Sequence, residues 1–275
     1  MERIREAIRM AKAQRRGGPA PALNLPIPNE FAIDDKYEYV APREQQPRKI
    51  LTIDRNHLEA NRIIAPQTGN PQATAFDMLR TKVLQEMDEQ GWQVLVMTSP
   101  SMGCGKTMSS INLALSIARQ PDRTVYLLDL DFRKPKIAYT LGVTPEHDFA
   151  GVIKGESDLE DALFNIDIGG PQLSILANRQ SIKHPSEAIT SRQVKGVIDR
   201  LKSSPGRPIL LVDMPPVLIT DDVLAFLPLA DCCILAVAEG ISTISEVDNS
   251  EKLLTGTNYL GCILTKSSER TASYY

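Results

Sequence analysis

The stretch Ser99-Pro-Ser-Met-Gly-Cys-Gly-Lys-Thr107 decides the reading of this 275-residue chain. An apolar run, Trp92-Gln-Val-Leu-Val-Met-Thr98, leads into it. A helix-like pattern, Met108-Ser-Ser-Ile-Asn-Leu-Ala-Leu-Ser-Ile-Ala118, leads out. Strand, glycine turn, Gly-Lys-Thr and helix is the layout of a phosphate-binding loop. Gly103 and Gly105 let the backbone approach an anion closely. The free N–H groups and the dipole of the helix start then attract phosphate. Lys106 supplies a point charge for the β- and γ-phosphates, and the Thr107 hydroxyl is a ligand for Mg2+. The expected nucleotide contacts are Met102, Gly103, Cys104, Gly105, Lys106, Thr107 and Met108. The motif is incomplete, because Pro100 stands where G-x-x-x-x-G-K-[ST] has its first glycine. Taken alone, Gly-Lys-Thr also reads as an ordinary β-turn-α connection with a surface lysine.

Two further segments favour the nucleotide reading. Thr124-Val-Tyr-Leu-Leu-Asp-Leu-Asp131 and Pro208-Ile-Leu-Leu-Val-Asp-Met-Pro-Pro216 are apolar runs that end in acids, Asp129 and Asp131 in one and Asp213 in the other. Near-continuous apolar runs of this kind read as central parallel strands covered on both faces. Acids at their C-terminal ends point to the crevice where open α/β sheets bind ligands, and they would hold Mg2+ directly or through water. One such acid reads equally well as a helix N-cap or turn residue. Three at two strand ends, downstream of a Gly-Lys-Thr loop, do not.

Hydrophobic residues make up 42% and charged residues 24% of the chain, which is ordinary for a soluble globular protein. A net charge of −3 argues against a general nucleic-acid binder. The sequence lacks the run of about 18 apolar residues that spans a membrane, and the start Met1-Glu-Arg-Ile-Arg-Glu-Ala-Ile-Arg9 lacks the apolar region of a secretory signal. Cys104, Cys232, Cys233 and Cys262 show neither zinc spacing nor a disulfide framework, so a reducing cytoplasm is expected. Cys104 reads either as a redox-sensitive thiol or, more simply, as a small residue that fits the turn.

The pattern divides the chain into four parts. Residues 1–16 form a basic amphipathic helix, with Ile4, Ala7, Ile8 and Ala11 on one face and Arg3, Arg5, Arg9, Lys12, Arg15 and Arg16 carrying charge. It suits a solvated terminus, a partner surface or an anionic membrane surface. Residues 17–48 are a Pro-rich linker. Residues 49–265 form the globular part. A helix is expected over 71–87 and 106–119, with strands over 92–98, 124–130, 174–177, 208–213, 232–238 and 259–265. Further helical stretches are expected from Pro185 and over Val194 to Leu201. Alternating strands and helices predict an α/β fold with a doubly wound, mostly parallel sheet. Residues 266–275 are a flexible tail ending in Tyr274 and Tyr275. Aromatics are unusual in a disordered tail, so these two are candidates for modification. Extended at ~3.3 Å per residue, the tail reaches ~30 Å, enough to enter a neighbouring subunit's site.

Together these residues resemble the cytoplasmic catalytic domain of the bacterial tyrosine kinases that control capsule and exopolysaccharide synthesis. The likeness covers roughly residues 50–275. It rests on the 99–107 loop, on Leu128-Asp-Leu-Asp-Phe-Arg-Lys-Pro135 and on Val212-Asp-Met-Pro-Pro-Val-Leu-Ile-Thr-Asp-Asp222. Pro185-Ser-Glu187 and the terminal tyrosines add to it. The Asp-x-Asp-x-Arg-x-Pro pattern is specific, since related partitioning ATPases usually lack its Arg and Pro.

The resemblance implies a fold of the P-loop NTPase type and an ATP-dependent tyrosine autokinase. Lys106 and the loop amides would bind ATP, Thr107 and Asp129 would hold Mg2+, and Asp213 would act through water. Asp131, or Asp129, would accept the tyrosine proton. Arg133 would stabilise phosphate charge or form a structural ion pair, and Tyr274 and Tyr275 would be the phosphoacceptors. The implied partners are a membrane polysaccharide co-polymerase or chain-length-determinant protein as activator, further copies in a homo-oligomer, and a phosphotyrosine phosphatase. Nucleic acid is not among them. The expected location is cytoplasmic, recruited by a partner to the inner face of the membrane; with no fused membrane segment, activation would come from a separate protein.

Three departures bear on these expectations. Cys104 stands where members often carry an acid. The family's Glu-x-x-Arg-x-x-Arg oligomerisation motif aligns with Thr74, Asp77 and Arg80, of which only Arg80 matches, and the tyrosine cluster is short. Two alternatives to the autokinase follow. One is a partitioning or positioning ATPase, against which Ser101 replaces that group's first loop lysine. The other is a catalytically weakened nucleotide-binding regulatory subunit of a polysaccharide export system, opposed by the intact Asp129, Asp131 and Asp213.

Overall fold

The computed structural model describes residues 48–65, 71–167 and 173–268. The expected N-terminal helix, the linker up to residue 47, and Tyr274 and Tyr275 lie outside the described residues.

The sheet is built around β2 (Val94–Thr98) and β6 (Pro208–Asp213), buried at every position. Their neighbours are β3 (Thr124–Asp129), β5 (Leu173–Leu176), β7 (Cys232–Ala238) and β8 (Asn258–Thr265). Two four-residue strands, β1 (Lys49–Thr52) and β4 (Phe164–Asp167), complete one edge. The order is β1-β4-β5-β3-β6-β2-β7-β8, and every pairing is parallel except β4 with β5. Alternate residues feed opposite cores. Val94, Val96, Leu210 and Val212 pack on one face, and Leu95, Met97, Ile209 and Leu211 on the other. Burial on both faces is why these strands are apolar throughout rather than alternating.

The connecting helices obey local signals. The helix Pro71–Gln90 runs three residues further than its apolar stripe suggests and stops at Gly91, whose φ of 70° suits a helix end. Strand β2 starts at Val94 rather than Trp92, because the Gln93 and Val94 amides donate to Asp231 Oδ2, each at 2.8 Å. The helix Arg192–Lys202 is capped by the Ser191 hydroxyl and buries Val194, Val197, Ile198 and Leu201. The helix Lys106–Ala118 is buried around most of its circumference. Ser109, Ser110, Ala114 and Ser116 are small enough to let it lie between the helix Pro71–Gln90 and the sheet. No described helix is long and apolar enough to cross a membrane.

Candidate nucleotide site

Because β3, β6 and β2 are adjacent and parallel, their C-terminal ends bring Asp129, Asp213 and the loop after Thr98 together. Gly103 and Gly105 both take φ of 80°, the left-handed region, and Gly105 is the N-cap of the helix Lys106–Ala118. A Cβ on Gly105 would also meet the Thr265 hydroxyl at 3.4 Å. Backbone conformation alone favours glycine here.

Lys106 Nζ donates to Asp131 Oδ2 at 2.8 Å and lies 3.6 Å from Asp213 Oδ2. Thr107 Oγ1 donates to Asp213 Oδ2 at 2.6 Å, and Ser110 Oγ to Asp213 Oδ1 at 3.1 Å. Asp129 Oδ2 accepts from the Lys136 and Ile137 amides, both at 3.1 Å. Its Oδ1 is buried without a partner. Burial pushes the Asp129 carboxyl well above the usual carboxylate range, and the Asp213 charge adds to this. Burial raises Asp213 as well. For Lys106, burial acts downward, but the charges of Asp213 and Asp131 outweigh it and hold the ammonium above its ordinary value. Among the described residues, no three His, Cys, Asp or Glu side chains are arranged as a metal cage.

Met102 is exposed on the loop, and Met108 lines a cavity beside it. Cys104 is buried, its Sγ 3.4 Å from Ser242 Oγ and 3.6 Å from Ser101 Oγ, as suits a small residue packed beneath the turn. Arg133 forms a two-pronged bond to Asp222 (2.7 and 3.0 Å), braced by Ser186 Oγ, so the structural ion pair is the arrangement found. Arg80 turns inward to Asp77 and Ser116.

Sequence reasoning missed several residues. Thr265, the last residue of β8, donates to the Cys104 carbonyl at 2.7 Å and ties the loop to the sheet. Ser110 holds Asp213. A cavity of about 620 Å³ is lined by Arg62, Thr265, Lys266 and Ser267 together with Gly105 and Met108. That volume falls in the usual range for small-molecule sites. The one available signal was Thr265, a polar residue closing an apolar strand.

No known family profile matches the chain. Among curated proteins, it is 28% identical over 189 residues to a putative tyrosine-protein kinase, EpsB of Ralstonia solanacearum, covering 69% of this chain and 24% of that protein. It is 24% identical over 203 residues to a putative tyrosine-protein kinase, CapB of Staphylococcus aureus, covering 73% and 87%. The chain spans 24% to 34% of the length of EpsB, of AmsA of Erwinia amylovora and of Etk of Escherichia coli. Among solved structures, the kinase domain of VpsO matches with a TM-score of 0.63 at 27% identity, covering 75% of this chain and 96% of that one. The chimerical protein CapA2B2 matches with a TM-score of 0.67 at 25% identity, covering 79% and 93%. The cell division ATPase MinD of Pyrococcus furiosus matches with a TM-score of 0.52 at 25% identity, covering 62% and 71%. With a Gly-Lys-Thr loop at the ends of a mostly parallel sheet, this chain is similar in sequence and fold to bacterial tyrosine-protein kinases.

Proposed function

We propose that the chain is an ATP-dependent protein-tyrosine kinase that modifies C-terminal tyrosines in trans, Tyr274 and Tyr275 among them, in the control of exopolysaccharide or capsule synthesis. The observation that carries this reading is the gathering of Lys106, Thr107, Asp129, Asp131 and Asp213 at the ends of three neighbouring strands, beside a loop with free helix-start amides. Those amides and Lys106 bind the β- and γ-phosphates. Because phosphoryl transfer needs little covalent help, positioning and charge neutralisation do most of the work.

The residues fit Mg2+. Three carboxylates surround one ammonium, and Asp129 keeps a buried oxygen without a partner. Thr107, Asp129 and Asp213 would hold the ion directly or through water, and a three-carboxylate cage is not needed where phosphates and waters complete the shell. Mg2+ there would draw negative charge away from the transferring phosphoryl group. Asp129 is locked by two amides, whereas Asp131 is held by Lys106 and the Lys134 amide. Asp131 is therefore the better placed of the two to orient a tyrosine hydroxyl, once the phosphates draw Lys106 away. With a tyrosine pKa of about 10, the acid acts mainly by orientation and late proton acceptance.

The proposed partners are a membrane polysaccharide co-polymerase that activates the kinase and recruits it to the inner face of the membrane, a phosphotyrosine phosphatase, and other copies of the chain. Because Arg80 is engaged within its own chain, the homo-oligomer draws on other side chains. A second reading, a MinD-like ATPase, draws on the fold.

Incubating the purified chain with Mg·ATP and probing with a phosphotyrosine antibody separates the two. The kinase reading expects a signal that is lost in Lys106→Met and on addition of EDTA. Release of inorganic phosphate without phosphotyrosine, including in protein isolated from its native cells, supports the ATPase and contradicts the kinase.

A further inference from the structure

Two cations line the cavity beside the phosphate loop, Arg62 and Lys266, and the proposed site chemistry uses neither. Arg62 follows the helix Arg55–Ala60 and has φ of 58°, a left-handed backbone that is uncommon outside Gly, Asn and Asp. The turn closes through Arg62 N to Glu59 O (2.9 Å) and Ile63 N to Leu58 O (2.8 Å), a helix ending at which glycine is the usual occupant. Asn112 holds this turn in place from the middle of the helix that starts at Lys106. Its Nδ2 donates to Arg62 O at 3.0 Å and to Met108 O at 2.9 Å. Its Oδ1 accepts from the Ile64 and Ala65 amides at 2.8 and 2.9 Å. Asn112 is fully buried and its amide is satisfied at all four positions, so segment 62–65 is tied to the phosphate-loop helix.

The Arg62 side chain is exposed and lines the cavity with Gly105 and Met108. No ion pair engages its guanidinium among the described residues, and no carboxylate lines the cavity. A planar, weakly hydrated cation in such a place suits the face of an aromatic ring.

We propose that Arg62 contacts the base of the bound nucleotide, its guanidinium plane stacked on the ring while the phosphates lie on the 102–108 loop, and that Asn112 is the positioning residue that holds it there. The proposal rests on the nucleotide reading of the loop. It explains why an arginine occupies a backbone position that favours glycine: strain of this kind persists where the side chain has a use.

Calorimetric titration of the full chain with Mg·ADP and, separately, with tripolyphosphate tests it. Arg62→Gly should weaken Mg·ADP binding about tenfold and leave tripolyphosphate binding unchanged. Its melting temperature should match or exceed the wild type's, because glycine suits the left-handed backbone. Arg62→Lys should not restore ADP affinity, since an ammonium has no plane to stack. Asn112→Asp, which loses the donor to Arg62 O and to Met108 O, should weaken ADP binding more than tripolyphosphate binding. Unchanged ADP affinity in Arg62→Gly, or equal weakening of both ligands, would overturn the proposal. A wild-type chain that binds neither ligand would overturn the nucleotide reading itself, and this inference with it.

Discussion

Two charge clusters in this molecule use the same residue types to different ends. At the far end of the sheet from the site, Arg207 bridges Asp88 and Asp122, each at 2.8 Å, and Arg123 also pairs with Asp88. Two cations meet two acids, and most of these side chains reach water. At the strand C-termini, one ammonium, Lys106, meets Asp129, Asp131 and Asp213, all buried. The first cluster is balanced and solvated; the second is unbalanced and desolvated. An excess of buried negative charge is costly unless the carboxyls take up protons or a cation joins them. The unbalanced cluster thus has the chemistry of a cation-binding site, whereas the balanced one is a stitched surface.

Single substitutions test this contrast. The largest effect is expected for Lys106→Met, which removes the one cation from the buried cluster. Phosphotransfer should fall by at least ~100-fold, the scale for losing one preorganised charge at a reacting group, as read by initial rates with Mg·ATP. Next comes Arg133→Met, which strands Asp222, fully buried, with Ser186 as its remaining side-chain partner here. Urea denaturation should show a loss of about 3 kcal/mol. The reverse change, Asp222→Asn, should cost less, because Arg133 is 40% exposed and can turn to water.

Asp129→Asn tests the imbalance through pH. Asp129 in the folded chain is held above its ordinary value, so it favours folding at pH below the usual carboxylate range and loses that contribution as pH rises toward the raised value. The asparagine variant lacks this dependence. Its melting temperature should exceed the wild type's at neutral pH, and the gap should close toward pH ~4, as followed by circular dichroism without nucleotide or metal. A constant gap across pH would count against a raised Asp129. The smallest effect belongs to Arg207→Ala in the solvated cluster. Its melting temperature should stay near the wild type's and respond little to added salt.

The two clusters also differed in how far the sequence disclosed them. The buried one was visible because strands covered on both faces are unbroken apolar runs, and an acid at the end of such a run stands out. Asp129 and Asp213 announced themselves in this way, as did Lys106 between a strand and a helix. The short strands β1 and β4 were not visible: four residues are too few to show a period, and their pairing depends on a distant partner. Arg62, Asn112 and Thr265 were equally silent, since each acts through backbone groups far away in sequence. Asn112 is a polar residue in a largely buried helix, and its role lies in four partners that only the fold brings together. Arg133 fell between: its pattern was specific, but only the geometry of Asp222 and Ser186 separated an ion pair from a phosphate contact.

The most direct test of the central claim is mass spectrometry of the C-terminal peptide after incubation of the full chain with Mg·ATP, beside Lys106→Met. The wild type should carry phosphate on Tyr274 or Tyr275, and the variant none. A tail that stays unmodified, even in protein isolated from its native cells together with its activating partner, would contradict it.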